Sequence, residues 1–393
     1  MAMSERRILF YVQHLLGIGH LRRAATLTRA LQRAGLRTTL ISGGHEIPGL
    51  DLAGAQFVQL DPTRAIDESF KTLVGANGQQ VDEDWKERRR QRLVEVARQV
   101  RPHALMFELF PFGRRQMRFE LLPVLQHAHA SAERPLIISS VRDILVGQQK
   151  PEREREMLEL VQRYFDRVLV HGDPQFIAFD RTFPLAREIA DKIVYTGYVV
   201  DESGTLPDDG ATDGADEVLV SAGGGAVGER LLATAIAARP LSSLRYKRWR
   251  VLVGAAASTE RFDALCRLAA ADPGILVERT RADFPRLLRR CALSISQGGY
   301  NTMMESIQAG ARAIAVPYAG GTETEQTLRG QLLAERGVIH VLPEVELSAT
   351  RLAAAIDQLS AQPRAVRKAG IDLNGAERSA ALLRQWVDQV TWK

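Results

Sequence analysis

The strongest constraint on this chain is a cycle repeated along it: a short β-forming run, a glycine-bearing turn, then an amphipathic helix. RILFYVQ reads as a strand, HLLGIGH as a loop, and LRRAATLTRALQRAG as a helix closed by Gly35, before RTTLISGG opens the next strand. HALMFEL, PLIISSV, RVLVHG and KIVYTGYV continue the series. Strands separated by helices pair in parallel, with helices covering both faces of the sheet. The series breaks at DESGTLPDDGATDGADE, Asp201 to Glu217, where Gly, Asp, Ser, Thr and Pro leave almost nothing to bury. It then restarts with VLVSAGGGAVGERLLATAIAA, RWRVLVGAAAS, GILVERT, CALSISQGGYNTMMESIQAG, RAIAVPY and VIHVLP. The expected architecture is therefore α/β with two Rossmann-like domains and parallel sheets. Residues 1–200 form the first, 201–215 a linker, and 216–393 the second, whose last helix is free to pack back on the first. Open sheets of this kind bind ligands at the carboxyl ends of their strands, so a cleft faced by both sheets is the expected site.

Composition narrows the class. A chain of 393 residues with 45% hydrophobic content has ample core for two domains. The only cysteines, Cys266 and Cys291, exclude a disulfide scaffold and a Cys-rich zinc site, and fit a reducing cytoplasm. A net charge of +5 suits an anionic small ligand or an anionic membrane face and does not call for nucleic acid. MAMSERRILFYVQHLLG reads as a first strand and not as a signal peptide, because Gln13 and His14 interrupt its apolar run. No apolar run reaches the ~18 residues that span a bilayer. The expected location is the cytoplasm, at most peripheral at the inner face of the cell membrane.

Three glycine turns stand where a strand gives way to a helix: Gly17–Gly19 in GIGH, Gly223, Gly224 and Gly225 in GGGAVG, and Gly298–Gly299. Glycine there permits a left-handed φ and lets a ligand approach the backbone, while the following helix start favours an anion. A tight strand-to-helix connection needs the same residue, so no single turn is decisive. Dinucleotide binding is disfavoured: GIGHLR has Arg22 at the third glycine of G-x-G-x-x-G, and no acid ends the next strand. No G-x-x-x-x-G-K-[ST] is present. Glu305 falls four residues after Asn301, on the same helical face, one turn from that anion-favouring start. A carboxylate so placed can accept hydrogen bonds from both hydroxyls of a ribose; a solvated surface Glu is the plain alternative.

SISQGGYNTMMESIQAGARAIAVPYAGGTETEQTLRGQLLAERG resembles the nucleotide-sugar-binding segment of GT-B glycosyltransferases of the family-28 type. GIGHLRRA resembles that family's first glycine loop, and VYTGYV the turn before its interdomain linker. The resemblance implies an inverting, metal-independent transferase that moves a sugar from a nucleotide sugar, expected to be a UDP-sugar, to a hydroxyl acceptor. The sugar donor is then a substrate, with no cofactor. It implies that Glu305 holds the ribose, and that Gly298, Gly299, Asn301, Thr302, Gly223, Gly224 and Gly225, with Gly17 and Gly19, face the donor nucleotide. Arg281 would lie beside the base, and Glu325 and Gln326 beside the sugar. The family's glycosaminyltransferases carry Asn three residues after that Gln; here it is Arg329, which leaves the sugar open and favours a more acidic one. The implied acceptor is a polysaccharide, glycolipid or small molecule, with peripheral membrane contact and no nucleic acid.

An inverting transfer needs a base for the acceptor hydroxyl. His20, closing the GIGH loop, is the first candidate, with His14 and Asp143 as competitors. A His that merely caps the helix is the plain reading of the same residue. Asp82–Asp84 imitate a metal-binding D-x-D but precede a helix, where acids are ordinary caps. KERRRQR, Lys86 to Arg92, reads as the solvated face of that helix. FELFPFGRRQMRFELLP reads either as a core edge or as a patch for a lipid-linked acceptor. Two other functions fit the same fold: a nucleotide-sugar epimerase, or a non-catalytic donor-binding subunit of a glycosylation complex.

Overall fold

The computed structural model describes residues 5–47, 49–67, 70–145, 150–201, 212–222, 228–254, 257–320, 324–362 and 370–390. They fall into two compact units, Met1–Val199 with Ile371–Lys393, and Val200–Gly370.

In the first unit the elements run β1 (Arg7–Val12), α1 (Gly19–Arg33), β2 (Arg37–Ser42), β3 (Gln56–Gln59), β4 (Thr63–Ala65), β5 (Leu73–Gly75), α2 (Glu83–Val100), β6 (Ala104–Glu108), α3 (Arg118–Ala130), β7 (Leu136–Arg142), α4 (Pro151–Tyr164), β8 (Arg167–His171) and β9 (Ile193–Tyr195). Among the described residues, seven strands form one sheet in the order β3-β2-β1-β6-β7-β8-β9. All its pairings are parallel.

The alternation in RILFYV shows why helices cover both faces. Leu9 and Tyr11 enter a core with α2, α3 and α4, while Ile8, Phe10 and Val12 enter another with α1. That second core also takes Ala376, Ala380, Leu383 and Val387 from α11 (Gly375–Gln389). Their spacing puts them on one stripe of the helix, and it explains why the end of the chain lies on the first unit. Arg33–Glu377 and Arg6–Asp388 ion pairs flank the contact.

Of the readings of the charged stretches, the cap at Asp82 holds and that of Arg89 changes. Asp82 caps α2, its side chain accepting from the Trp85 N–H at 2.7 Å. Arg89, read from sequence as part of a solvated face, is only 1% exposed. Its guanidinium donates to Glu120 Oε2 (2.6 Å), Gln13 Oε1 (2.5 Å), and the carbonyls of Gly43 (2.9 Å) and Asp61 (2.5 Å). FELFPFGRR is a core edge, since Phe107, Phe110 and Phe112 are all buried.

The second unit runs β10 (Val218–Ser221), α5 (Glu229–Ala238), β11 (Trp249–Val253), α6 (Thr259–Ala269), β12 (Ile275–Arg279), α7 (Phe284–Arg290), β13 (Leu293–Ser296), α8 (Tyr300–Ala309), β14 (Ala313–Ala315), α9 (Glu325–Glu335), β15 (His340–Val341) and α10 (Ala349–Ser360). Its sheet is parallel in the order β12-β11-β10-β13-β14-β15. Val218, Val220, Trp249, Val251, Leu293 and Ile295 share one core under α5 and α10. Beside that core Arg250 is buried, donating to Glu217 (2.6 Å) and Glu278 (2.7 Å).

Candidate functional site

Each unit gathers polar groups at the carboxyl ends of its strands. In the first, α1 begins at Gly19 with no side-chain cap, and His20 stands in its first turn. The His20 Nδ1 lies 2.9 Å from Glu108 Oε1, at the end of β6, with the His side chain 14% exposed and the Glu fully enclosed. Arg23, one turn along α1, also donates to Glu108. Burial works to raise the Glu108 pKa, but Arg23 and the bond from His20 outweigh it and hold the carboxyl well below its usual range. Burial and the nearby Arg114 in turn hold His20 well below its ordinary value. Arg23 Nη2 also lies 3.3 Å from His20 Nδ1, but its much closer partner is Glu108; with Arg23 donating there and the carboxylate only accepting, the His20 proton is placed on Nδ1 and Nε2 is left bare. That is the protonation pattern of a general base at neutral pH.

The competitors sit differently. His14 is 6% exposed, and its ring lies against Gly44, where an added Cβ would fall 2.3 Å from the ring. Burial, with Arg114 beside it, takes its pKa down to about 4. Asp143 is fully buried and accepts the Tyr198 hydroxyl at 2.5 Å. Gly17 faces open space: a Cβ there would meet nothing within 4 Å. Glu108 is the residue that sequence reasoning missed. Its signal was an acid closing an apolar strand at the same sheet end as GIGH.

These buried imidazoles give the fold a pH signature. Burial also takes His171 down to about 3. The unfolded chain titrates histidine near 6.5, so on acidification it binds protons before the folded state does. Stability from these groups is complete above about pH 6.5 and is lost as pH falls toward the folded values. Glu108, also depressed, acts in the same direction at lower pH. The urea midpoint is expected to fall clearly between pH 8 and pH 5; a midpoint that is flat or rises on acidification would overturn this account.

In the second unit the two glycines after β13 have separate reasons. Gly298 has φ +77°, so the turn favours glycine, and a Cβ on it would lie 2.6 Å from Met303 Cε, the end of a flexible side chain. Gly299 precedes the first residue of α8 without a side-chain cap, and a Cβ on it would meet nothing within 4 Å. The start of α8 therefore leaves room beside Gly299 for a group to approach the backbone. Asn301 and Thr302 are half-buried in the first turn, and Glu305, on the face of Asn301, is 8% exposed. Gly223, Gly224 and Gly225 lie outside the described residues. The described chain resumes at Gly228, with φ +108°, where a Cβ would fall 2.4 Å from Gln297 Oε1. Among the described residues, Gln297 Oε1 and Ser221 Oγ are buried and make no hydrogen bond, so two further polar atoms wait at the ends of β13 and β10.

Further along, the guanidinium of Arg281 is held by Asp283 (2.8 Å) and Asp213 (2.7 Å). Gln326 Oε1 accepts from the Tyr318 N–H at 3.1 Å. Arg329 is fully buried, donating to Glu325 one turn back on α9 at 3.0 Å, with its guanidinium 4.9 Å from the Tyr300 ring centre. Arg329 thus neutralises Glu325.

Residues 270–381, which hold both Gly298–Glu305 and Glu325–Arg329, match the glycosyltransferase family 28 C-terminal domain. Most of that match, residues 270–370, lies in the second unit. Two similar curated proteins are UDP-N-acetylglucosamine–N-acetylmuramyl-(pentapeptide) pyrophosphoryl-undecaprenol N-acetylglucosamine transferases. That of Rhodospirillum centenum is 36% identical over 81 residues, 21% of either chain. That of Pelobacter propionicus is 28% identical over 231 residues, 54% of this chain and 59% of the relative. The chain thus spans between about a fifth and three-fifths of the length of these relatives. In fold, solved glycosyltransferase structures are similar over nearly the whole chain. The calicheamicin glycosyltransferase CalG4 superposes with a TM-score of 0.65 at 17% identity, covering 99% of this chain and 100% of its own. MurG of Acinetobacter baumannii gives 0.59 at 15% identity, over 96% and 99%. The fold is GT-B.

Proposed function

We propose that this chain is an inverting, metal-independent glycosyltransferase that moves a sugar from a nucleotide sugar to a hydroxyl acceptor, with UDP as the nucleotide. The observation that carries the reading is the uncapped start of α8 at Gly299, with Glu305 one turn inside it, within the family 28 domain. The diphosphate would lie at the α8 N-terminus, where N–H groups and the helix dipole favour negative charge that grows as the sugar leaves. Glu305 would accept from the ribose hydroxyls. Gln297 and Ser221, whose buried oxygens make no hydrogen bond among the described residues, would complete the donor's polar surroundings. On the first unit, His20 Nε2 would take the acceptor proton as the new C–O bond forms, with Glu108 stabilising the imidazolium. The relatives' names specify a UDP-sugar donor and a lipid-linked acceptor, and we extend that class of donor, and a glycolipid or other glycan acceptor, to this chain. Among the described residues no helix is long and apolar enough to cross a membrane, and we propose peripheral contact at most. An epimerase on this fold would recruit a further acid at the sugar, and Glu325 is already held by Arg329.

The test is a thermal-shift comparison. UDP at a hundredfold excess over its Kd contributes about 2.7 kcal/mol, a rise of several degrees in Tm. Glu305→Ala removes a charged hydrogen-bond partner worth about 1.5–3 kcal/mol, so it should weaken UDP binding by at least tenfold and cut the shift by about half or more. Stabilisation by NAD or ATP alone, or a UDP shift unaffected by Glu305→Ala, would sink the proposal.

A further inference from the structure

Behind Glu108 lies a line of buried polar side chains that the reaction as proposed does not use. Ser140 Oγ, on β7, is 2.7 Å from Glu108 Oε2 and 2.9 Å from Nε2 of His171, the last residue of β8. The His171 Nδ1 is 2.8 Å from Thr196 Oγ1, just after β9. Ser140, His171 and Thr196 are each 0% exposed and Glu108 1%, so solvent supplies none of these bonds.

Hydrogen-bond chemistry fixes the direction of this line. Ionised Glu108 only accepts, so Ser140 gives its single proton to Oε2. The Ser140 oxygen must then accept from His171, which places the His171 proton on Nε2. A neutral imidazole carries one proton, so Nδ1 is bare and accepts from the Thr196 hydroxyl. At the other carboxylate oxygen the same reasoning puts the His20 proton on Nδ1. Every bond points toward Glu108.

The opposite arrangement is also available. Thr196 Oγ1 lies 2.9 Å from the Gly197 carbonyl, a second acceptor for its proton. Were Thr196 turned there, His171 would donate from Nδ1, and Ser140 would donate to His171 and no longer to Glu108. That state strips a donor from a buried carboxylate, which is costly, so the charge on Glu108 selects the first arrangement.

We propose that Thr196, His171 and Ser140 form a one-way hydrogen-bonded chain ending on Glu108, and that it holds Glu108 in place so that His20 keeps its proton on Nδ1 and its Nε2 bare. His171 and Ser140 are positioning residues. Their value to turnover rests on the reading of His20 as the base, whereas the proton positions do not.

The test uses the full chain with 15N-labelled histidine and long-range 1H–15N correlation spectra at neutral pH. In the unsubstituted protein His171 should carry its proton on Nε2 and His20 on Nδ1. Glu108→Gln places an amide N–H2 against Ser140, which reverses the line. His171 should then move its proton to Nδ1, two hydrogen bonds from the altered group. Ser140→Ala should move the His171 proton in the same way with Glu108 intact, and lower kcat about tenfold at unchanged donor KM. Ser140→Thr, which keeps the hydroxyl, should restore both. A His171 proton on Nδ1 in the unsubstituted protein, no move in Glu108→Gln, or an unchanged kcat in Ser140→Ala would overturn the proposal. The spectra need neither donor nor acceptor, so a failure of the transferase reading and a failure of the chain are told apart.

Discussion

His20→Ala should slow sugar transfer by roughly 10²–10⁴-fold while leaving donor affinity near its original value. The size follows from what the side chain does. Glu108, enclosed and charged, fixes the ring from one side, and burial beside Arg114 keeps the imidazole neutral. In the proposed mechanism the acceptor hydroxyl would then lose its proton to water, because among the described residues no other side chain near the α1 start is so disposed. His14 and Asp143 do not substitute, the first with its ring packed on Gly44 and the second fully enclosed with Tyr198. Single-turnover rates and donor binding, measured on the same preparation, check the prediction. Turnover within about threefold of the parent would mean that His20 is not the base.

Arg89→Ala should destabilise the first unit by about 3–5 kcal/mol, because it leaves the buried Glu120 carboxylate without its principal partner. The loss is more than one ion pair. The same guanidinium ties the segments after β1, β2 and β3 through Gln13, Gly43 and Asp61, so removing it also takes a donor from each of these. Urea unfolding followed by circular dichroism reads the change. The double variant Arg89→Met with Glu120→Leu should recover much of it, since apolar groups of similar size carry no buried charge. A single-variant cost below about 1 kcal/mol would mean that the network is not holding these segments.

Both results bear on how far the sequence could be read. Every strand of the second unit was visible, because each is a short apolar run punctuated by glycine or proline. In the first unit β3, β4 and β5 escaped notice: β3 is a partly exposed edge, and the other two are three residues each. Arg89 was hidden inside a charged run, yet it stands four and seven residues before Leu93 and Val96, on the buried stripe of α2. Its spacing from those two residues is legible in the sequence, but a cation on that stripe reads as solvated until its partner Glu120 is brought beside it by the fold. Glu325 and Arg329, four apart on one helix, likewise announce a pair, but only burial shows that the pair is turned inward. Glu108 depends on two segments that lie 88 residues from each other, and such proximity is a property of the sheet order β1-β6, not of any local pattern.

The return of α11 to the first unit has a consequence for synthesis. The second unit is one unbroken stretch, Val200–Gly370, whereas the first draws part of its core from Ala376 to Val387. A chain emerging amino end first can therefore complete its inner portion before its outer one. The face of the first sheet that receives α11 stays uncovered while some 170 further residues are made, and it is sealed only when the last helix leaves the ribosome.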